Sequence, residues 1–459
     1  MVRIFRHYMS AKLIAIIVLE ALVFAFAIRL GLAFNHAGPD VEALSLLSIS
    51  VLAAGLVIVM NVVGLYSADG WSDAQSVRVR IIAAVVLTLF LILAVAYVPA
   101  ALVMEPRGIA ITGAAILFGV TLVRFSFYKW DKLIAFKPRV LVLGTGSRVS
   151  EFSGLALRNR NYTIVGYVPI SPSDEHFVPA SLVLPVQPGE SLSALVRKHR
   201  IDQIVLAVRD RRGTLPVQEL VQCKLQGVKV MELATAFERE YRQVSLETIS
   251  ASWVMLEEGF HQGTFRSGVK RLFDLAVSAL LLLLTLPVLV VAALCILIES
   301  GAPVLYRQER VGERGRVFEM YKLRSMRRDA EGDGKPRWAA AKDDRTTRVG
   351  RIIRKLRIDE LPQLINVLKG DMSFVGPRPE RPFFVDQLVK DLPYYSLRHT
   401  IKPGITGWAQ VCYPYGASLE DTSEKLKYDL YYVKNHALFL DLVILFATIE
   451  VVFTGKGAR

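Results

Sequence analysis

The chain has 459 residues, 53% of them hydrophobic and 21% charged, with Lys+Arg 56 against Asp+Glu 42 and a net charge of +14. An apolar excess gathered in long runs excludes a wholly soluble protein, a disordered chain and a collagen-like fibre. Cys223, Cys295 and Cys412 lie far apart and match no metal-ligand spacing, which excludes a disulfide scaffold and suits a reducing compartment.

Four apolar runs, 13–34, 44–66, 81–104 and 109–127, are each long enough to cross a bilayer, so residues 1–130 read as a four-helix transmembrane bundle. The first run is too long for a secretory signal and no small-residue cleavage site follows it, so it reads as a retained anchor. Arg3, Arg6 and Lys12 precede the first run, Arg78 and Arg80 precede the third, and Lys129, Lys132, Lys137 and Arg139 follow the fourth. Asp40 and Glu42 lie in the first loop. By the positive-inside rule both ends of the bundle are then cytoplasmic. Glu20, Arg29 and Arg124 lie within about two helical turns of a span's end, which points to snorkelling rather than to a transport path.

Residues 131–250 alternate short apolar runs, 140–143, 164–168, 204–208 and 228–231, with polar helical stretches, the pattern of a Rossmann-like βα domain. Gly144-Thr145-Gly146 supplies two glycines of a dinucleotide fingerprint, but Val149 stands where the third belongs. Tyr167-Val168-Pro169 ends the second run without the acid that would hold a ribose hydroxyl. A structural or regulatory domain is the better reading of this segment. Arg209 to Gly213 reads as a solvated turn.

Residues 264–459, the bulk of the last segment (251–459), carry a net charge of +9 and so most of the basic excess, which suits anionic lipid or a phosphorylated substrate. No module interleaves basic residues with aromatics as nucleic-acid binding would require. The segment opens with Lys270-Arg271-Leu272-Phe273-Asp274 and an apolar run to Ile298, about 40 Å long as a straight helix. Basic residues flank the run on both sides, Arg266, Lys270 and Arg271 before it and Arg307, Arg310, Arg314 and Arg316 after it. Both flanks therefore favour the same side of the membrane. Pro287 sits in the middle and bends a helix. A re-entrant helix near 268–300 that enters one leaflet, turns and returns satisfies both facts, with a kinked ordinary span as the alternative.

Beyond it the chain becomes polar. Asp359-Glu360-Leu361-Pro362-Gln363 opens an amphipathic helix that ends at Gly370, and the acidic pair reads either as acid in the first turn or as a catalytic dyad. In Gly376-Pro377-Arg378-Pro379-Glu380-Arg381, Pro377 and Pro379 stiffen the backbone around Arg378, which suits a guanidinium that meets phosphate oxygens in fixed geometry. The terminal run 437–453, interrupted by Asp441 and Glu450, either lies along the interface or packs on the core.

The last two fifths of the chain resemble the bacterial sugar transferases, the monotopic phosphoglycosyl transferases acting on polyprenyl phosphate. The motifs that carry the resemblance are the Lys270–Asp274 pentapeptide, Leu286-Pro287, Tyr321-Lys322-Leu323-Arg324-Ser325-Met326, Asp359 to Gln363, Gly370 to Pro379 and Lys402 to Val411. Together with the four spans and the βα domain, this part of the chain resembles the long form of that family, the polyprenyl-phosphate hexose-1-phosphate transferases of exopolysaccharide and O-antigen assembly. Cys412 to Gly416 depart from the Asn-Gly-Arg of many relatives, and Leu286 replaces the serine that short relatives place before the proline.

The resemblance implies a re-entrant helix, Asp359 and Glu360 as catalytic dyad, Mg²⁺ held through Glu360, a UDP-sugar donor (glucose or galactose) and undecaprenyl phosphate as acceptor. It also makes a homodimer plausible and places the protein in the bacterial inner membrane with its catalytic domain on the cytoplasmic face. With the chemistry of the residues, it casts Asp359 as the nucleophile that forms an aspartyl-phosphosugar and releases UMP. Arg378 is the expected phosphate clamp, with Lys322 and Arg324 as helpers. Lys270 and Arg271 are expected at lipid headgroups, and Asp274 paired with an arginine. The competing expectation is a nucleotide-sensing regulatory membrane protein without transferase activity.

Overall fold

The structure is a computed structural model that describes residues 2–4, 7–34, 46–62, 66, 106–131, 137–147, 149, 162–170, 177–185, 190–208, 215–249, 254–255, 259–260, 263–327, 345–414, 416 and 418–454. Its contacts divide the chain into two compact units, one of residues 128–257, the other of residues 2–127 together with 258–459.

In the larger unit a small hairpin, β1 (Val2–Ile4) and β2 (His7–Met9), leads into α1 (Ala11–Ala33), whose first turn is capped by Ser10. Then come α2 (Leu46–Val62) and α3 (Pro106–Asp131). Phe24, Ala27 and Ile28 of α1, Ile49, Ala53, Leu56 and Met60 of α2, and Ile116 and Val120 of α3 form one buried cluster. The expected third span, 81–104, lies outside the described residues. Among the described residues, Ala11–Ala33, Pro106–Phe127 and Thr264–Ser300 are long and apolar enough to cross a membrane.

Glu20 and Arg124 do not snorkel. Both are buried and pair across α1 and α3, with Arg124 Nε 2.7 Å from Glu20 Oε1 and Tyr66 donating to Glu20 Oε2 at 2.5 Å. In an apolar bundle the two charges offset each other's desolvation, and Tyr66 adds a hydrogen bond to Glu20. Arg124→Ala leaves the buried Glu20 without its cation, with only the Tyr66 hydroxyl bonded to it, and is expected to destabilise the protein by about 3–5 kcal/mol. Glu20→Gln with Arg124→Gln costs less. Thermal unfolding of both variants in detergent checks this.

The smaller unit holds the expected βα sheet. Strands β3 (Arg139–Leu143), β4 (Thr163–Val168), β5 (Gln203–Leu206) and β6 (Lys229–Glu232) pair in parallel in the order β4-β3-β5-β6. Helices α4 (Leu192–His199), α5 (Val217–Leu225) and α6 (Leu233–Tyr241) accompany it. The strands read as unbroken apolar runs because both faces of the sheet are covered. The Gly144 amide donates to Val168 O at 2.8 Å, and Val149, in place of the third fingerprint glycine, is fully buried in the core.

The rest of the larger unit begins with α7 (Thr264–Ser300), which contains Pro287. Near its start Lys270 Nζ lies 2.7 Å from Asp441 Oδ2, Arg271 Nη2 donates to Leu368 O at 2.8 Å, and Asp274 accepts from the Phe374 amide at 3.2 Å. Near its end Glu299 accepts from the amides of Arg348 and Val349 at 2.8 and 3.0 Å, and Ala292 and Ile296 pack on Leu323 and Ile353. Both ends are thus tied to one body, while Leu283, Leu284, Val290 and Val291 between them are half or more exposed. Exposed leucine and valine in such a stretch suit lipid, not water.

A hairpin of β7 (Leu305–Val311) and β8 (Val317–Leu323) follows, then α8 (Arg348–Lys355) and α9 (Gln363–Lys369). Next are the parallel pair β9 (Ser373–Val375) and β10 (Gly404–Thr406), with α10 (Pro382–Asp391) between them. The chain ends with α11 (Trp408–Cys412), α12 (Leu419–Asn435) and α13 (Leu438–Thr454). Of the two placements open for the terminal run, α13 takes packing: Leu440, Asp441 and Ile444 are fully buried and the helix contacts α2. The N-terminal hairpin docks on the same region through His7, whose Nδ1 lies 3.1 Å from the Tyr431 hydroxyl and whose ring stands edge-on to Trp408.

Candidate active site

The acidic pair lies between two helices. After α8 the chain reverses at Arg357, whose φ of 59° is in the left-handed region, and Ile358–Glu360 form a single tight turn before α9. Ile358 packs on the cluster of Ala292, Ile296, Leu323 and Ile353, so the turn rests against the end of α7. Neither carboxylate caps α9; Pro362 occupies the N-cap position without a side-chain bond. At the other end of α9, Gly370 has φ 98°, which only a residue lacking Cβ adopts freely, so this end falls where the sequence reading put it. Asn366 locks α9 to β8 by donating to Glu319 O at 2.7 Å and accepting from the Tyr321 amide at 3.0 Å, and so brings Lys322 to the dyad.

Glu360 is gripped by cations. Lys322 Nζ lies 3.1 Å and Arg378 Nη2 2.7 Å from its Oε1, and Arg357 Nη1 lies 3.5 Å from Oε2. Burial alone would raise its pKa, but Arg378, Lys322 and Arg357 outweigh that and hold Glu360 well below the usual carboxylate range. Asp359 has the opposite balance. Burial, then the charge of Glu360, push it up to about 6 against the pull of Lys322, Arg354 and Arg357. Among the described residues its carboxylate accepts no hydrogen bond. Burial also holds Lys322 below the usual lysine range, against the attraction of Glu360. Two adjacent carboxylates are thereby pushed apart in acidity, the pattern of groups with different chemical tasks.

Arg378 reaches Glu360 from a rigid loop. Gly376 and Gly404 lie so close that a Cβ on Gly404 would collide with the Gly376 amide, which explains a glycine at each site. The loop is fixed by Gly404 N to Pro377 O at 2.9 Å, Arg310 Nη1 to Pro379 O at 3.0 Å and Arg398 Nη2 to Arg378 O at 2.8 Å. Arg398 in turn pairs with buried Asp429 at 2.8 Å.

Of the residues singled out from sequence, Asp359, Glu360, Lys322, Arg378 and the flanking Pro377 and Pro379 come together. Arg324 does not join them. The strand ends at Leu323, and the Arg324 side chain turns to Ser300 Oγ, at 2.7 Å, and to the carbonyls of Ser300 and Gly301 at the end of α7. A cation there complements the C-terminal dipole of the helix. Lys270 and Arg271, expected at lipid headgroups, are bonded within the protein, and Asp274 lies 3.8 Å from Lys270 instead of pairing with an arginine.

Arg357, Arg398 and Asp429 escaped the sequence reading, and Gln363 entered it only as the last residue of the Asp359 to Gln363 motif. Arg357 was accessible to it, three residues from Glu360. Gln363 lies one turn after Asp359, is 3% exposed, and its amide nitrogen has no partner among the described residues. Arg398 and Asp429 are linked to the site only through the fold.

Residues 265–455 match the family described as bacterial sugar transferase. Over 191 residues, 42% of this chain, the sequence is 49% identical to the UDP-N-acetylgalactosamine-undecaprenyl-phosphate N-acetylgalactosaminephosphotransferase of Aeromonas hydrophila, covering 45% of that protein. It is 40% identical to the UDP-glucose:undecaprenyl-phosphate glucose-1-phosphate transferase of Escherichia coli K12, with 42% of each chain covered. The chain thus spans less than half the length of these two relatives. It covers 90% of an uncharacterized sugar transferase of Bacillus subtilis strain 168 at 42% identity, over 42% of its own length. The chain belongs to the bacterial sugar transferase family.

Proposed function

We propose that the protein transfers a sugar 1-phosphate from a UDP-sugar to undecaprenyl phosphate and releases UMP, as the first step in building a surface polysaccharide. The observation that carries this reading is the buried Asp359, poised to ionise at about pH 6 beside a cation-clamped Glu360, on a turn that leans on an apolar helix. The names of the similar proteins supply the substrate classes.

Asp359 attacks the phosphorus that carries the sugar, forming a carboxyl–phosphate bond as the anhydride bond breaks and UMP departs with the electron pair. A phosphate oxygen of undecaprenyl phosphate then attacks the same phosphorus, giving the lipid diphosphate sugar and restoring the Asp359 carboxylate. Arg378 and Lys322, already in place, offset the charge that gathers on the phosphoryl oxygens.

The donor chemistry fits Mg²⁺. Glu360 would hold it through a hard carboxylate oxygen such as Oε2, which meets Arg357 only at 3.5 Å, since this ion takes one or two carboxylates with the rest from water and diphosphate. When bound it would neutralise diphosphate charge.

The two anchored ends and exposed middle of α7 support a helix that dips into the leaflet and returns. The dyad then faces a soluble nucleotide and a lipid phosphate together, on the cytoplasmic face of the inner membrane. Ser267→Cys and Arg307→Cys label from the same side of sealed vesicles on this reading, and labelling from opposite sides refutes it.

The enzymatic test gives purified protein UDP-glucose, UDP-galactose or UDP-N-acetylgalactosamine with Mg²⁺ and undecaprenyl phosphate and follows UMP. Absence of release with every donor, while a nucleotide still binds, favours the sensor. Because the nucleophile is the ionised form, kcat/KM falls as pH drops below about 6. The charge of Glu360 raises the Asp359 pKa, so Glu360→Gln shifts that acid limb to lower pH in whatever activity remains.

A further inference from the structure

The start of α7 borders a cavity of about 360 Å³ to which Asp359, Glu360, Lys322 and Arg378 contribute no wall. Lys270, Arg271 and Asp274 line one side, Glu313 and Arg314 of the turn between β7 and β8 a second, and Lys402 before β10 a third. Four cations therefore face two carboxylates. Lys270 is occupied by Asp441 at 2.7 Å, and Arg271 by the carbonyls of Val367 and Leu368 at 2.5 and 2.8 Å. The side chains of Arg314 and Lys402 make no hydrogen bond or ion pair among the described residues. Lys402 Nζ and Arg271 Nη2 nevertheless converge, 3.7 and 3.5 Å from where a Cβ on Gly370 would stand.

The opposite face of the same helical turns shows Phe265, Val269 and Leu272, exposed at 82, 39 and 69%. A helix start with an apolar outer face and a cationic inner one belongs at the depth of lipid headgroups. We infer that this cavity is a second anion site that binds a phosphate group, carried by a membrane phospholipid or free in solution, with Arg314 and Lys402 as its principal donors. Asp274 lies 3.8 Å from Lys270 and accepts the Phe374 amide, so it is held by the fold rather than presented to a ligand. The inference stands independently of the transferase reading.

Full-length protein in neutral detergent is titrated with short-chain phosphatidylglycerol, followed by native mass spectrometry, and separately with inorganic phosphate, followed by calorimetry. One saturable site is expected in at least one titration. It weakens about tenfold in Arg314→Asn and again in Lys402→Gln, as the loss of one charge-assisted hydrogen bond predicts, and vanishes in the double variant. Asparagine suits the left-handed backbone at position 314, where φ is 56°, and an unchanged circular dichroism spectrum separates lost binding from lost folding. Lipid binding that persists in excess phosphate assigns the site to a headgroup, and saturable binding of phosphate alone assigns it to the free anion. Absence of a saturable site in both titrations, or equal binding by wild type and double variant, overturns the inference.

Discussion

Asp359→Asn is expected to lower UMP release by a factor of roughly a thousand or more while the protein stays folded, since amide nitrogen and oxygen match the carboxylate in shape but not in nucleophilicity. The informative assay omits the lipid. If the first half-reaction forms a carboxyl–phosphate bond, labelled UMP exchanges into UDP-sugar without acceptor, and Asp359→Asn abolishes that exchange. Wild-type enzyme that turns over but never exchanges would remove the covalent intermediate. Stability should move the other way. Burial raises the Asp359 pKa to about 6, so the folded state favours the neutral acid, and the stability this supplies is present below the ordinary pKa near 4 and lost as pH rises through about 6. At pH 7.5 the asparagine variant should therefore melt no lower than wild type, and a large drop in Tm would show a structural role.

Periodicity revealed the elements because it reflects burial directly. The four strands of the smaller unit lie within a residue or two of the apolar runs that announced them, since a sheet covered on both faces leaves no polar gap. The end of α9 was visible in Gly370 for an equally local reason, its positive φ. Asp359, Glu360 and Arg378 were visible as types, being an adjacent carboxylate pair just before Leu361-Pro362 and an arginine between two prolines. Their division of labour entered only through the family resemblance; its electrostatic basis was not visible, because it depends on Lys322, 38 residues before Glu360, meeting Oε1. Arg324 shows the limit from the other side. Two residues after Lys322 it looked equivalent, yet the strand stops between them and its side chain turns to the end of α7. Glu20 and Arg124, 104 residues apart, were read separately near span ends, and only helix packing could reveal them as a pair.

Arg378→Ala is expected to lower kcat/KM by about two to three orders of magnitude, the usual effect of deleting one preorganised donor to a developing anion. It should leave Tm nearly unchanged, because Arg378 is about a third exposed and Lys322 and Arg357 remain on Glu360. Arg398→Gln separates positioning from contact. Arg398 reaches Glu360 only through the main chain of Arg378, whose carbonyl it holds at 2.8 Å, and it neutralises Asp429, which burial already pushes up to about 6. Removing it strands a buried carboxylate, at a cost of about 3–5 kcal/mol, and loosens the loop without deleting the clamp. A large fall in Tm with a smaller fall in kcat/KM should follow. Adding Asp429→Asn removes the stranded charge and should restore much of the Tm, but the Arg378 carbonyl still lacks its donor, so the kinetic loss should remain. If the second substitution restores activity along with Tm, Arg398 only stabilises the fold; if activity stays low while Tm recovers, Arg398 holds Arg378 in position.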